Sequence, residues 1–258
     1  MLPPSFLEQF VVGEVFAYLM IFARVGAAIM IMPGIGESYV SPRIRLSFAL
    51  AFALVLTPAF SQYIPDPSDE FLQTVLLLAG EITTGFFIGL ISRMLFSTLH
   101  ITGTIIAYQS SLAMAAMFDT TQNAQSTVIG NFLTIIALIV IFALDIHHVM
   151  LAGVADSYIL FPPGEFAPTQ DMADFLARTL GTAFLIAFQL SAAHITFSLI
   201  FYVGAGVLAR LMPTMQVFFV LMPAQIAVGF FLLMALLQSI MLVYAGYVED
   251  TLISFMDY

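Results

Sequence analysis

FLARTLGTAFLIAFQLSAAHITFSLIFYVGAGVL, residues 175–208, and MQVFFVLMPAQIAVGFFLLMALLQSIMLVYAGYV, residues 215–248, decide the fold class of this chain. Each run has 34 residues and reads as a helix. At about 1.5 Å per residue such a helix measures ~50 Å, against a bilayer hydrocarbon core of ~30 Å. Both helices must therefore tilt steeply, kink, or stand out of the lipid inside a protein assembly. The short turn Ala209–Thr214 joins them into a hairpin, and Pro223 marks a place where the second can kink. Gln189, His194, Gln225 and Gln238 lie within these runs. Polar groups are costly in lipid, so they are expected to face protein.

The same reading extends toward the N-terminus. Phe10–Met32 is a first apolar run, ended by the breaker Pro33-Gly34-Ile35-Gly36. Ile44–Tyr63 is a second, ended by the acidic turn Pro65-Asp66-Pro67-Ser68-Asp69-Glu70. A third, Phe71–Ile91, is closed by Arg93 and contains a GxxxG spacing at Gly85 and Gly89, which lets another backbone approach closely. Leu99–Met117 follows and carries scattered Ser, Thr and Gln. Val128–Leu144 and Ile146–Phe161 are short pieces split at Asp145-Ile146-His147-His148. A second acidic loop, Glu165 to Asp174, precedes the long hairpin.

Composition excludes several function classes. Of 258 residues 61% are hydrophobic and 9% charged, where a soluble domain carries roughly 25% charged residues. One membrane domain fits the length. All six cations are arginines, and sixteen acids bring the net charge to -10, which argues against nucleic acid as a partner. Without cysteine no disulfide framework or thiolate metal site is available. Met1 to Gln9 has no positive n-region, and Glu8 and Glu14 flank the first apolar run, so the first segment reads as retained rather than as a cleaved signal. No phosphate-binding, zinc-protease, nucleophile-elbow or dinucleotide motif occurs, and no catalytic residue, cofactor or metal is expected. The neighbours His147 and His148 would point about 100° apart on a helix, so with Asp145 they read as a polar helix junction.

Charge alternates along the loops. Arg43, Arg45, Arg93 and Arg210 mark one side; the loops at Asp66–Glu70, Glu165–Asp174 and Glu249-Asp250 mark the other. By the positive-inside rule the arginine side is cytoplasmic and the N-terminus lies outside. Arg24 stands apart, inside the first apolar run. Such a charge snorkels to the interface, lines a water-filled path, or pairs with a buried acid, for which Glu81 is the best candidate. Met114, Met117 and Phe118 sit where an apolar helix meets the polar stretch 118–127. They are either ordinary packing or a flexible gasket able to close a pore.

RVGAAIMIMPGIGESYVSPRIR, residues 24–45, resembles the N-terminal signature of the FliR/SctT family of flagellar and virulence type III export-gate proteins. Phe118-Asp119 resembles that family's plug segment, although Thr120 stands where the family usually has Pro. RLMPTMQVFF, residues 210–219, followed by Met222-Pro223 and Gly229, resembles its C-terminal hairpin turn. There Gln216 replaces the usual Asn, and Leu221 a common Gly. The motif positions are thus Pro33, Gly34, Gly36, Pro42, Arg43, Arg210, Pro213, Gln216 and Pro223.

The resemblance implies an all-α membrane protein of long, kinked helical hairpins packed in a helical, pore-forming export-gate assembly. It implies a FliP-like part over about residues 1–170 and a FliQ-like hairpin over about 171–258. The implied partners are FliP-like and FliQ-like subunits, FlhB- and FlhA-like export proteins, and unfolded protein substrates, in the inner membrane at the flagellar basal body. Met114, Met117, Phe118 and Asp119 would form the pore plug, Arg24 and Glu81 a structural charge pair, and Gln189, His194, Gln225 and Gln238 contacts to neighbouring subunits. A virulence gate is the nearest alternative. A secondary transporter would predict inverted repeats, which the sequence lacks. A membrane enzyme would need a constellation near Asp145, His147 and His148.

Overall fold

The computed structural model describes residues 6–67, 70–113, 128–165 and 169–256. Among them it is all-α: α1 (Phe6–Ile31), α2 (Pro42–Phe60), α3 (Phe71–Gln109), α4 (Val128–Ala143), α5 (Ile146–Leu160), α6 (Thr169–Leu211) and α7 (Val217–Met256). Five helices are long and apolar enough to cross a membrane, and α4 with α5 counts as a sixth if the pair is one broken span.

The helices begin and end for local reasons. The Ser41 side chain accepts from the Ile44 amide and Pro42 occupies the first helical position, so α2 starts with its cap and φ preset. The break between α4 and α5 falls at Leu144–Asp145, where Asp145 adopts a left-handed φ of 58°. That boundary was legible from the run of polar residues there.

Three boundaries differ from the sequence reading. The third apolar run and the fourth as far as Gln109 are one helix, α3, of 39 residues, and a turn at Ser110-Ser111 ends it before the expected Met117. No Gly or Pro interrupts residues 92–99, and the lone charge Arg93 points out to pair with Glu37, so nothing stops the helix there. The second acidic loop ends earlier than expected, because α6 starts at Thr169 and takes Asp171 into its first turn, where a carboxylate favours the helix N-terminus. Glu249-Asp250 likewise lies inside α7, which continues to Met256. The long helices are therefore longer still, 43 and 40 residues, or about 65 and 60 Å at ~1.5 Å per residue.

The chain divides into two compact units. Unit 1 comprises Met1–Met94, Asp145–Thr179 and Asp250–Tyr258; unit 2 comprises Leu95–Leu144 and Leu180–Glu249. They interleave along the sequence, because α3, α6 and α7 each run from one unit into the other. In unit 1, α1 packs into the notch at Gly85 and Gly89 of α3. A Cβ at Gly85 would lie 2.1 Å from the Arg24 carbonyl oxygen, and one at Gly89 2.8 Å from that of Ala28. An aromatic cluster of Phe87, Phe161, Phe175 and Phe255 fills the space beside this contact. In unit 2, α3 and α4 touch backbone to backbone at Gly103 and Gly130.

Candidate functional site

The notch at Gly85 has a chemical consequence: it brings Arg24 of α1 level with Glu81, one turn before Gly85 on α3. Arg24 Nε donates to Glu81 Oε2 at 2.8 Å and Nη2 to Oε1 at 2.9 Å, a bidentate pair. The remaining donors reach the C-terminal end of α5. Nη1 donates to the Ser157 carbonyl at 2.9 Å and to its hydroxyl at 3.3 Å, and Nη2 donates to the Phe161 carbonyl at 2.9 Å. A helix C-terminus presents unpaired carbonyls and negative dipole, so it is a natural place for a guanidinium. The Tyr158 ring covers the cation at 4.1 Å. Arg24 is 1% and Glu81 2% exposed, so the charge does not snorkel.

A cavity of about 680 Å³ lies beside the pair, lined among others by Phe16, Asp66, Leu77, Thr84 and Glu165. Both Glu81 oxygens and all three Arg24 nitrogens are already engaged. The pair therefore offers the cavity no spare charge; it ties three helices together.

The signature loop follows from the same economy of space. Gly34 has φ 90°, and a Cβ at Gly36 would lie 2.6 Å from the Met30 carbonyl oxygen, so both glycines are sterically required. Pro33 is buried, and Arg45 donates to the carbonyls of Val40 and Gly36. Arg93 ion-pairs with Glu37 of this loop. Pro42 and Arg43 are exposed. At the hairpin turn, Arg210 sits in the last turn of α6, and the Gln216 carbonyl accepts from the amides of Phe219 and Val220 to open α7. Arg210, Pro213, Gln216 and Pro223 are exposed, and α7 continues as helix through Pro223.

The four polar residues of the hairpin divide. Gln189 and Gln238 are exposed. His194 and Gln225 instead turn into the interior of unit 2 and bond to residues of this same chain. His194 Nε2 is 3.2 Å from the Gly229 carbonyl oxygen. Gln225 bonds to Ser111 and to the Gln109 carbonyl. The sequence could not see this, because nothing in the spacing links residue 225 to residue 111. The polar triplet Gln109-Ser110-Ser111 inside the apolar run Leu99–Met117 was the available signal. Met114, Met117, Phe118 and Asp119 lie outside the described residues.

Asp145, His147 and His148 bring their ligand atoms within 4.8 Å of one another, although the two histidines are neighbours on α5. The two rings lean together at 4.0 Å, and His148 Nδ1 is 3.4 Å from Asp145 Oδ1. Asp145 and His148 are largely exposed, which weakens such a pair.

Together these features define a class: an all-α integral membrane protein whose helices exceed the bilayer and whose buried charges are consumed internally. The chain belongs to the bacterial export proteins, family 1, whose family model matches residues 15–251. It is 35% identical over 244 residues to the flagellar biosynthetic protein FliR of Caulobacter vibrioides, covering 93% of this chain and 95% of that one. It is 31% identical over 231 residues to FliR of Bacillus subtilis, 88% of each chain. It is 25% identical over 228 residues to the Yop proteins translocation protein T of Yersinia pestis, 87% of each.

Proposed function

We propose that this chain is the FliR-type subunit of the flagellar type III protein-export gate, seated in the bacterial inner membrane at the basal body. It would help to form and plug the pore through which unfolded flagellar proteins leave. The observation that carries this reading is the match along nearly the whole chain to the Caulobacter and Bacillus flagellar relatives, at 35% and 31% identity against 25% for the Yersinia virulence relative. The geometry supports an assembly rather than a lone transporter. Helices of 39, 43 and 40 residues are about twice as long as a ~30 Å apolar layer requires. Large apolar side chains such as Phe184, Phe188, Leu199, Phe219, Phe231 and Met234 remain exposed along the last two, which is surface for neighbouring helices or lipid. FliP-like and FliQ-like subunits are the proposed neighbours, with FlhB- and FlhA-like proteins beside them. Of Gln189, His194, Gln225 and Gln238, it is Gln189 and Gln238 that face outward and are available to such neighbours.

Met114, Met117 and Phe118 close the pore in this reading by adaptable apolar packing, and Asp119 braces the loop. Deleting residues 115–122 tests it. In cells carrying the full set of gate proteins the deletion leaves the gate assembled but leaky to ions and small molecules. An assembled gate as tight as the unmodified one would remove the plug from this account.

A further inference from the structure

A side chain on a helix leans back toward the helix N-terminus. In the first turn no earlier turn stands in its way, so side chains there can gather on the residue that precedes the helix. Helix α5 opens in this manner. Asp145 precedes it with φ 58°, a left-handed conformation that Asp tolerates better than most residues. The rings of His147 and His148 lean together with centroids 4.0 Å apart. A ligand atom from each of the three side chains lies within 4.8 Å of the other two. His148 Nδ1 and Asp145 Oδ1 are 3.4 Å apart, which is the edge of a coordination tetrahedron with bonds of about 2.1 Å. Ligands on one ion with such bonds stand at most about 4.4 Å apart, so a small side-chain rotation completes the set. All three residues belong to unit 1. Asp145 and His148 are exposed, so a dissolved ion can reach them. Val149 and Met150, which follow on α5, line the same narrow gap as Ile91 and Ser92 of α3, and this sets the cluster near the level of Arg93.

We propose that Asp145, His147 and His148 bind a divalent transition-metal ion of the zinc class at the start of α5. Two imidazoles and a carboxylate suit zinc and its neighbours, whereas magnesium and calcium prefer oxygen ligands alone. The positive end of the α5 dipole opposes a cation there, and the full charge of the Asp145 carboxylate offsets it. Without an ion, the exposed contact between His148 and Asp145 holds little together. With one, the residue before the helix is tied to the first turn, and the entry to α5 stiffens. Three protein ligands leave a coordination position for water, so the ion exchanges with solution. The site is independent of the gate reading. The sequence marked this junction as polar only, because adjacent histidines after an aspartate match no metal-ligand spacing.

The test takes the full chain with whatever subunits accompany it, purified in mild detergent through a tag free of histidine and stripped with a chelator. Three quantities are read: Zn²⁺ held after dialysis, the visible absorption of bound Co²⁺, and amide exchange over residues 145–150 with and without Zn²⁺. The unmodified chain is expected to hold about one more Zn²⁺ per copy than the double variant His147→Ala, His148→Ala. It should also give Co²⁺ bands that the double variant lacks, and Zn²⁺ should slow exchange over residues 145–150. Asp145→Asn keeps the side-chain shape and the tolerance for a left-handed backbone, so the fold is retained. It is expected to weaken Zn²⁺ binding by at least about tenfold. His100→Ala, a change in unit 2, is expected to bind as the unmodified chain does. Equal Zn²⁺ uptake by the unmodified chain and the double variant overturns the proposal. Binding that Asp145→Asn leaves unchanged overturns it too, and this variant decides the matter if the double variant yields no folded protein. Uptake of Mg²⁺ in preference to Zn²⁺ would refute the class of ion.

Discussion

Arg24 is costly to bury and costly to strand. Desolvating a guanidinium and a carboxylate takes several kcal/mol per ion, and mutual attraction offsets this only when the remaining donors and acceptors are filled. Here they are: Glu81, Ser157 and Phe161 take the guanidinium N–H groups, and Tyr158 covers its face. Removing one partner leaves the other charged inside an apolar unit, at a cost of about 3–5 kcal/mol. Arg24→Ala and Glu81→Ala should therefore each lower the yield of folded, assembled chain sharply, and the double variant should recover part of the loss. Yield of gate from membranes measures this. A double variant as impaired as the two single effects combined would show that the charges act separately. From sequence alone Arg24 was visibly odd and Glu81 visibly eligible, but Ser157 and Phe161 were not, because they join the site through backbone carbonyls that no side-chain pattern marks.

At the scale of elements, helix α3 decides the packing of unit 1. Its glycines are not equivalent. Gly85 receives the α1 backbone, whereas a Cβ at Gly80 would meet nothing within 4 Å. Gly→Ala in a helix gains roughly 1 kcal/mol of propensity where space allows. Gly80→Ala should thus leave the thermal stability of the purified complex unchanged or slightly raised, while Gly85→Ala should lower it, since a backbone carbonyl cannot yield as a flexible side chain can. Equal melting temperatures for the two variants would contradict the close approach. The GxxxG spacing was readable in the sequence, and so was the break before α5. The continuity of α3 was not. Arg93 imitates a loop charge, and only Glu37, 56 positions away, reveals that it reaches sideways from a helix. The ends of α6 and α7 were misread for a related reason: Asp171 and Glu249 look like loop residues, yet an acid is at home in a first helical turn and on a helix face that leaves the lipid.

On the scale of the whole molecule, the exposed apolar surface and the helix lengths ask for company. The two apolar runs that opened the sequence reading already implied this, since neither fits a bilayer unaided. The interleaving of the two compact units was beyond the sequence, because it depends on three helices each serving both. So was the inward turn of His194 and Gln225, whose partners lie on other helices. The central claim is that this chain functions only as a subunit of an export gate. The most direct measurement is purification in mild detergent from its own membranes, followed by mass spectrometry and sizing. The account predicts that FliP-like and FliQ-like chains come with it in fixed proportion, and that the chain expressed alone is unstable. A stable, monodisperse monomer that carries no other gate protein would contradict it.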